Sequence, residues 1–329
     1  MRFTRPPLST PRLSAPRRNL TRRTALAGGL ASAGLLAACG SPDIDDTGLS
    51  DTPSGRFIDV DGARLHYRIE GRGPKAIALH GASGNLLDWT AGPASTIFST
   101  NQVLMFDRPG LGFSPRPARG GVTLSDQAAL MRKAAGQLGF GRATVIGHSF
   151  GGSVALAWAV DAPRAVDGLV LLAAPSQEWP GGVGAIYSFA ANPVTGPALS
   201  RVLPAIASER LITNALARVF APQSPPPGYA DRVGPELALK PANIQANAAQ
   251  LTALKPGIRA MVPRYDRLTM PVEILHGTAD RTVSFNLHSA SLAAQLPSAR
   301  LTQLDGIGHM PHHSAPRSLN AALTRINRA

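Results

Sequence analysis

The chain has 329 residues, 44% of them apolar, which is enough to bury one large core with or without an inserted segment. Its formal net charge of +13 would suit a nucleic-acid binder, but seven of the basic residues are arginines within residues 1–38, where no acid occurs. The rest of the chain has 26 basic and 20 acidic groups, with no basic run interleaved with aromatic residues. This distribution argues against nucleic acid as a partner.

Residues 1–38 have the layout of an export signal. The basic stretch ends in the pair Arg22-Arg23, and the uncharged residues 25–38 that follow are too few to span a bilayer comfortably. The segment closes with Leu36-Ala37-Ala38-Cys39. This ending resembles a bacterial lipoprotein signal, and the paired arginines resemble the twin-arginine export signal. The alternative is an ordinary secretory signal in which Cys39 is incidental.

Cys39 is the only cysteine of the chain, so a disulfide within the mature protein is excluded. We expect residues 1–38 to be a signal peptide and Cys39 to become the lipidated N-terminus. Residues 39–55, rich in Ser, Pro, Asp, Thr and Gly, are expected to form a flexible, lipid-anchored tether. The protein would then be exported and held on a membrane at the periplasmic side of a bacterial cell envelope.

From residue 57 onwards strand and helix signals alternate, which indicates a mostly parallel sheet with helices on both faces. Residues 57–60 and 64–69 flank Asp61-Gly62, a dipeptide suited to a tight hairpin. Six further apolar strands are expected at residues 76–79, 103–106, 143–146, 168–173, 272–275 and 300–304. Helices of the core are expected at residues 123–138, 153–160, 285–296 and from about residue 317.

The alternation stops between residues 177 and 266, a stretch rich in Pro, Ala and Gly. Helical patches within it are expected at residues 186–191, 199–219 and 237–254. We predict that residues 177–266, called the cap segment below, are an inserted and mainly helical cap. Residues 56–176 and 267–329 would form the core.

The motif Gly147-His148-Ser149-Phe150-Gly151 stands between a predicted strand and a predicted helix. There the chain must leave the strand and enter the helix within about two residues, which forces the serine into a strained backbone conformation. A side chain at either glycine would collide with the neighbouring strand or the start of the helix. The motif therefore predicts an exposed nucleophilic hydroxyl at Ser149.

A serine nucleophile needs a histidine to take its proton and a carboxylate to orient that histidine. In a parallel sheet these groups meet at the carboxyl ends of the strands. Asp280 and His309 each follow a predicted strand. The resulting chain order, Ser149 then Asp280 then His309, is the order found in α/β-hydrolases.

Residues 57–329 resemble α/β-hydrolase-fold proteins of the serine esterase/lipase type. The resemblance implies a mostly parallel eight-stranded sheet, Ser149 as nucleophile, His309 as general base and Asp280 as orienting acid. It also implies an oxyanion hole formed by the backbone N–H groups of Ala82 and Phe150. Five stretches in the family's order carry it: His80-Gly81-Ala82, 107–114, 147–152, Gly277-Thr278-Ala279-Asp280 and Gly308-His309-Met310.

Other roles are open for several acids and histidines. Asp280 could instead cap a helix, and in some relatives the acid follows the preceding strand, which would favour Glu178. Asp107 is expected to hold the loop below the site. We expect His148 to pack or hydrogen-bond beside the nucleophile and His80 to shape the oxyanion loop. Two further histidines are expected to cap the last helix or line the entrance, namely His312 and His313.

The predicted function is hydrolysis of a small, hydrophobic carboxylic ester without metal or cofactor. Epoxide hydrolase and haloalkane dehalogenase activities are disfavoured because those relatives use an aspartate nucleophile where Ser149 stands. Perhydrolysis and carbon–carbon bond hydrolysis keep the serine and are alternatives. A further alternative is a non-catalytic, surface-tethered binding protein on the same fold.

Overall fold

Eight strands form one sheet in the computed structural model of the chain, which describes residues 53–329. The predicted signal peptide, Cys39 and most of the predicted tether lie outside the described residues. The spatial order of the strands is β1-β2-β4-β3-β5-β6-β7-β8. In chain order they are β1 (Arg56–Val60), β2 (Ala63–Glu70), β3 (Lys75–Leu79), β4 (Gln102–Phe106), β5 (Ala143–His148), β6 (Val166–Leu172), β7 (Val272–Gly277) and β8 (Ala299–Leu304).

The sheet is mixed, because β2 runs antiparallel to both of its neighbours, β1 and β4. The remaining pairs are parallel. The reversal begins at the turn Asp61-Gly62, where both residues have positive φ (48° and 75°), as a tight hairpin turn requires. The predicted hairpin and the eight strands are thus present, and only β2 runs opposite to the other strands of the sheet.

Helices cover both sides of the sheet. Because successive strand residues face opposite sides, Val145 packs in one apolar cluster with α2 and α3, and Ile146 packs in another with α12. None of the helices in residues 53–329 combines the length and apolar character needed to cross a bilayer. The helices are α1 (Leu87–Thr90), α2 (Leu124–Gln137), α3 (Phe150–Asp161), α4 (Ala185–Ala191), α5 (Gly196–Ile206), α6 (Glu209–Phe220), α7 (Tyr229–Val233), α8 (Pro235–Leu239), α9 (Pro241–Met261), α10 (Ser291–Gln295), α11 (Pro311–Ser314) and α12 (Pro316–Ile326).

The cap segment contains six of these helices, α4 to α9, between β6 and β7. The helical patch expected at residues 199–219 is two helices, since the Ser208 hydroxyl accepts from the Leu211 N–H and starts α6 anew. The patch expected at residues 237–254 is also divided, because α9 starts at Pro241, which suits a first helical turn. The boundaries of the cap as a domain stay a prediction.

Candidate active site

Ser149 lies at the sharp turn between β5 and α3, and its backbone is strained as the motif predicts. Its φ of 51° and ψ of −122° lie in a region that residues other than glycine rarely adopt. Its N–H donates to the carbonyl oxygen of Leu172 at 2.8 Å, which fixes the turn on the neighbouring strand. A side chain at Gly147 would overlap the backbone of Gly151, and one at Gly151 would overlap carbonyl oxygens at the end of β3. The turn therefore holds the partly exposed Ser149 at the carboxyl edge of the sheet.

Asp280 and His309 both approach Ser149 from loops at this edge. The distance from Ser149 Oγ to His309 Nε2 is 2.9 Å, and from His309 Nδ1 to Asp280 Oδ2 it is 2.6 Å. Residues separated by as many as 160 positions in the sequence are thus joined by a continuous series of hydrogen bonds. The arrangement has the geometry of a serine nucleophile, a base and an orienting carboxylate.

The protonation states of these groups follow from their partners. Burial acts to raise the pKa of Asp280, but hydrogen bonds from His276 and His309 outweigh it and hold that pKa well below its usual value. Asp280 is therefore an anion at neutral pH and accepts a hydrogen bond from the protonated Nδ1 of His309. The other ring nitrogen, Nε2, is then unprotonated and faces the Ser149 hydroxyl.

His276 is a second imidazole on Asp280, which the sequence analysis did not identify. It lies in β7, wholly buried, with Nε2 3.0 Å from Asp280 Oδ2 and Nδ1 2.6 Å from Ser289 Oγ. The other carboxylate oxygen, Oδ1, accepts from the N–H groups of Thr282 and Val283 at 2.7 and 3.0 Å. Thr282 and Val283 are not helical and the next helical segment has no side-chain cap, so the alternative that Asp280 caps a helix is wrong. Its Oδ1 holds the turn after β7, and its Oδ2 contacts the two imidazoles. The signal that could have revealed His276 is its place at the end of β7, four residues before Asp280.

The loop after β3 lies against the nucleophile. A Cβ built on Gly81 would stand 3.3 Å from Ser149 Cβ, so the Gly81–Ala82 peptide borders the serine. Phe150 is the first residue of α3, and a backbone N–H at that position has no intrahelical acceptor. The structure therefore places both residues expected to form the oxyanion hole, Ala82 and Phe150, next to Ser149 in the chain or in space.

The two expectations for acids outside the triad have different outcomes. Asp107 accepts from the N–H groups of Leu86 and Phe113 at 2.7 and 2.8 Å, and so holds its loop as expected. Glu178 forms a two-point ion pair with Arg259 on the surface, at 2.9 and 2.7 Å. The structure does not bring Glu178 to His309.

The expectation for His312 and His313 is wrong, because both are buried and neither caps a helix. Their Nε2 atoms donate to the two oxygens of Asp88, at 3.0 and 2.8 Å, and the hydroxyl of Tyr229 donates to Asp88 at 2.8 Å. Burial acts to raise the pKa of Asp88, but these histidines keep it well below its usual value. Asp88 lies more than 200 positions before the two histidines in the chain, so no local pattern could have paired them.

This cluster also contains side chains that could ligate a metal. Asp88, His148 and His312 offer ligand atoms within 4.8 Å of one another. Both oxygens of Asp88 already accept hydrogen bonds, and His148 Nε2 lies 2.8 Å from the carbonyl oxygen of His309. These bonds account for the burial of Asp88 and for the position of His148 beside the site without a metal.

The loop that carries His309 is held by the cap segment. The Gln223 side chain donates to the carbonyl oxygen of Gly306 at 2.8 Å and accepts from the N–H of Gly308 at 2.9 Å. A Cβ on Gly308 would overlap the backbone of Ala221. The position of the histidine therefore depends on a residue that no motif marks.

Comparison with known proteins agrees with this fold. A family model described as the α/β hydrolase fold matches residues 77–316. An uncharacterized protein of Mycobacterium tuberculosis is 29% identical over 278 residues, covering 80% of this chain and 78% of the relative. The 2-hydroxymuconate semialdehyde hydrolase of Pseudomonas putida is 29% identical over 260 residues, covering 78% of this chain and 87% of the relative. The crystal structure of an α/β hydrolase fold protein from Burkholderia ambifaria superposes with a TM-score of 0.68 at 22% identity, covering 82% of this chain and 96% of that one. The chain therefore belongs to the α/β-hydrolase-fold family.

Proposed function

We propose that this protein hydrolyses carboxylic esters through an acyl-enzyme on Ser149. The observation that carries the proposal is the continuous hydrogen-bond chain from Ser149 Oγ through His309 to the buried Asp280 carboxylate. A serine in this chain can pass its proton to His309 as it attacks, while Asp280 stabilises the resulting imidazolium. No side chain other than these three is needed to supply a base.

The reaction runs in two halves. The Ser149 oxygen bonds to the ester carbonyl carbon, its proton moves to His309 Nε2, and His309 then protonates the departing alcohol as the C–O bond breaks. In the second half, His309 takes a proton from water, the water oxygen attacks the acyl carbon, and the acid leaves as Ser149 regains its proton. The negative charge on the carbonyl oxygen in each half would be stabilised by the N–H groups of Ala82 and Phe150.

The cap segment supports an apolar substrate. Among residues 53–329, most of the large apolar side chains that are exposed lie there, and Gln223 of the cap segment bonds to the loop that carries His309. Such side chains can contact a hydrophobic acyl or alcohol group and shield it from water. We therefore propose neutral, hydrophobic esters as the substrate class.

Carbon–carbon bond hydrolysis is the second candidate, favoured by the relative from Pseudomonas putida that is named as a semialdehyde hydrolase. It would use the same three side chains on a substrate whose leaving group is a stabilised carbanion. Turnover of a dienoic keto acid that exceeds turnover of every ester in a panel of chain lengths would favour this candidate.

Labelling with a fluorophosphonate, followed by mapping of the labelled peptide, tests the proposed nucleophile. We expect the label on Ser149, its loss in Ser149→Ala, and a loss of ester turnover of about 10⁶-fold in that variant. Ser188→Ala, which removes an exposed hydroxyl of α4, is the matched control and should behave as the unchanged protein. An unchanged rate in Ser149→Ala would contradict the proposal.

We further propose that the protein is exported as a lipoprotein anchored through Cys39, by the twin-arginine route. The support is the sequence of residues 1–39, which lie outside the described residues. Cys39→Ser should move the protein from the membrane fraction to the soluble fraction of cells. Retention of this variant in the membrane fraction would contradict the anchor.

A further inference from the structure

Arg108 is a buried cation that the mechanism above does not use. Its side chain is completely buried, and each of its hydrogen-bond acceptors within the described residues is a neutral carbonyl oxygen. Burial lowers the pKa of Arg108 to about 9, so it still carries its charge at neutral pH. A buried charge without a carboxylate partner is destabilising, which points to a role other than stability.

The Arg108 guanidinium lies directly behind the predicted oxyanion loop. Nε donates to the carbonyl oxygen of His80 and Nη2 to that of Gly81, both at 3.0 Å. Its central carbon stands 4.3 Å above the ring of Phe150, the residue expected to supply the other oxyanion donor. The guanidinium thus contacts the oxyanion loop through the His80 and Gly81 carbonyl oxygens, and it contacts Phe150 through the ring of that residue.

His80 adds a second donor to the same carbonyl. The N–H of Arg108 donates to His80 Nε2 at 3.0 Å, so that nitrogen is unprotonated and the proton is on Nδ1. His80 Nδ1, 2.9 Å from the Gly81 carbonyl oxygen, is therefore a donor. Burial lowers the pKa of His80 to about 4, which keeps this tautomer neutral. The Gly81 carbonyl oxygen also accepts from the Gly84 N–H at 3.4 Å, and the trans peptide directs the Ala82 N–H the opposite way.

The cap segment reaches this arrangement through α9. Gln250 accepts from Arg108 Nη1 at 2.6 Å and donates to the carbonyl oxygen of Pro109 at 2.6 Å. Asn247, three residues earlier and so on the same face of α9, accepts from the Ser83 N–H at 2.8 Å and donates to the Ser83 hydroxyl at 3.0 Å. Both side chains are almost completely buried. One helix face therefore holds the loop on both sides of Ala82.

We propose that Arg108 is a positioning residue that orients and polarises the Gly81–Ala82 peptide for oxyanion binding, and that Gln250 makes this dependent on the cap segment. A cation hydrogen-bonded to a peptide oxygen strengthens the N–H of the same peptide as a donor, because hydrogen bonds in a chain polarise one another. The donor is also preorganised, which is how such groups lower a barrier. The inference rests on the proposed function, because it assigns a role in stabilising the oxyanion of that reaction.

The test compares Gln250→Leu with Gln245→Leu. Gln245 is the matched control, since it lies on α9 and bonds Ser200 within the cap segment instead of the loop. Each variant is measured with an oxygen ester and with the corresponding thionoester, whose sulfur is a weak hydrogen-bond acceptor. We expect Gln250→Leu to lower kcat about tenfold for the oxygen ester and less than threefold for the thionoester. Losing a whole oxyanion donor typically costs roughly 10²–10³ in kcat, and this variant only weakens one donor. Gln245→Leu should change neither rate.

Equal losses on the two esters in Gln250→Leu would overturn the inference, because a general structural defect does not distinguish oxygen from sulfur. A hydrogen-exchange measurement on residues 80–85 separates this outcome from a failure of the proposed function, since it needs no turnover. Faster exchange of the Ala82 amide in Gln250→Leu than in Gln245→Leu supports the positioning role even if no ester is hydrolysed. Equal exchange in the two variants overturns it.

Discussion

Replacing Asp280 by asparagine tests the predicted triad without removing a side chain. The carboxylate uses Oδ2 for two imidazoles, His276 and His309, and Oδ1 for the N–H groups of Thr282 and Val283. Asparagine has one carbonyl oxygen, so an NH₂ group must occupy one of these two positions. The backbone N–H groups of Thr282 and Val283 are fixed in place, whereas an imidazole can carry its proton on either ring nitrogen. The amide nitrogen is therefore expected to face the imidazoles.

This change reverses the tautomer of His309. With an amide N–H opposite Nδ1, that nitrogen must become the acceptor, and the proton moves to Nε2, which faces the Ser149 hydroxyl. His309 can then no longer take the serine proton. In serine proteases with the same three groups, the equivalent change lowers kcat about 10⁴-fold. At about 1.4 kcal/mol per factor of ten, the barrier rises by about 5.5 kcal/mol.

The assay is steady-state hydrolysis of a p-nitrophenyl ester by Asp280→Asn at pH 7. We expect kcat to fall about 10⁴-fold with KM changed by less than about threefold, since no binding contact is removed. Asp305→Asn, which neutralises an exposed acid in the loop before His309, is the control and should keep its activity. A kcat within tenfold of the unchanged protein would refute the assignment of Asp280.

Three further predictions concern stability. Burial lowers the pKa of His80 and of His312 to about 4, below that of an unfolded histidine, so acidification from pH 7 to pH 5 protonates them only in the unfolded chain. Urea unfolding should then show the free energy of unfolding falling by about 2 kcal/mol for each imidazole, and equal stability at the two pH values would contradict this. Gly136→Ala, on an exposed face of α2 with no atom near the added methyl, should raise the free energy of unfolding by about 0.5–1 kcal/mol. Gly151→Ala should lower it by about 1–3 kcal/mol through overlap with carbonyl oxygens at the end of β3, and a smaller effect than that of Gly136→Ala would contradict the tight turn at Ser149.

The fold could be predicted where the signals are local. Hydrophobic runs and the Asp61-Gly62 turn fix the strands to within one or two residues, and α2 lies within its expected range. The helix bounds within the cap segment are harder to predict, because breaks such as the one at Ser208 depend on how each helix packs. Short helices such as α1 and α7 carry too little periodicity to be recognised from sequence.

The residues of the candidate site could likewise be predicted only in part. Ser149, Asp280 and His309 follow strand ends in a recognisable order, so their meeting at one sheet edge could be expected. Asn247 and Gln250 have no such mark, because a polar residue in a long helix reveals nothing of its partner. The burial of His312 and His313 could not be predicted for a related reason, since it requires Asp88, a carboxylate that lies far away in the chain.

The hydrogen bonds of the cap segment are unevenly distributed, and this has a consequence for how substrate enters. Gln223, Tyr229, Asn247 and Gln250 all bond to groups outside the cap segment, whereas α4 to α6 make no such hydrogen bond among the described residues. Lifting the second half of the cap would leave buried partners such as Asp88 short of a donor, at about 1–3 kcal/mol for each group. Moving α4 to α6 breaks none of these bonds. Substrate is therefore expected to enter by a displacement of α4 to α6 that leaves the oxyanion loop and His309 in place.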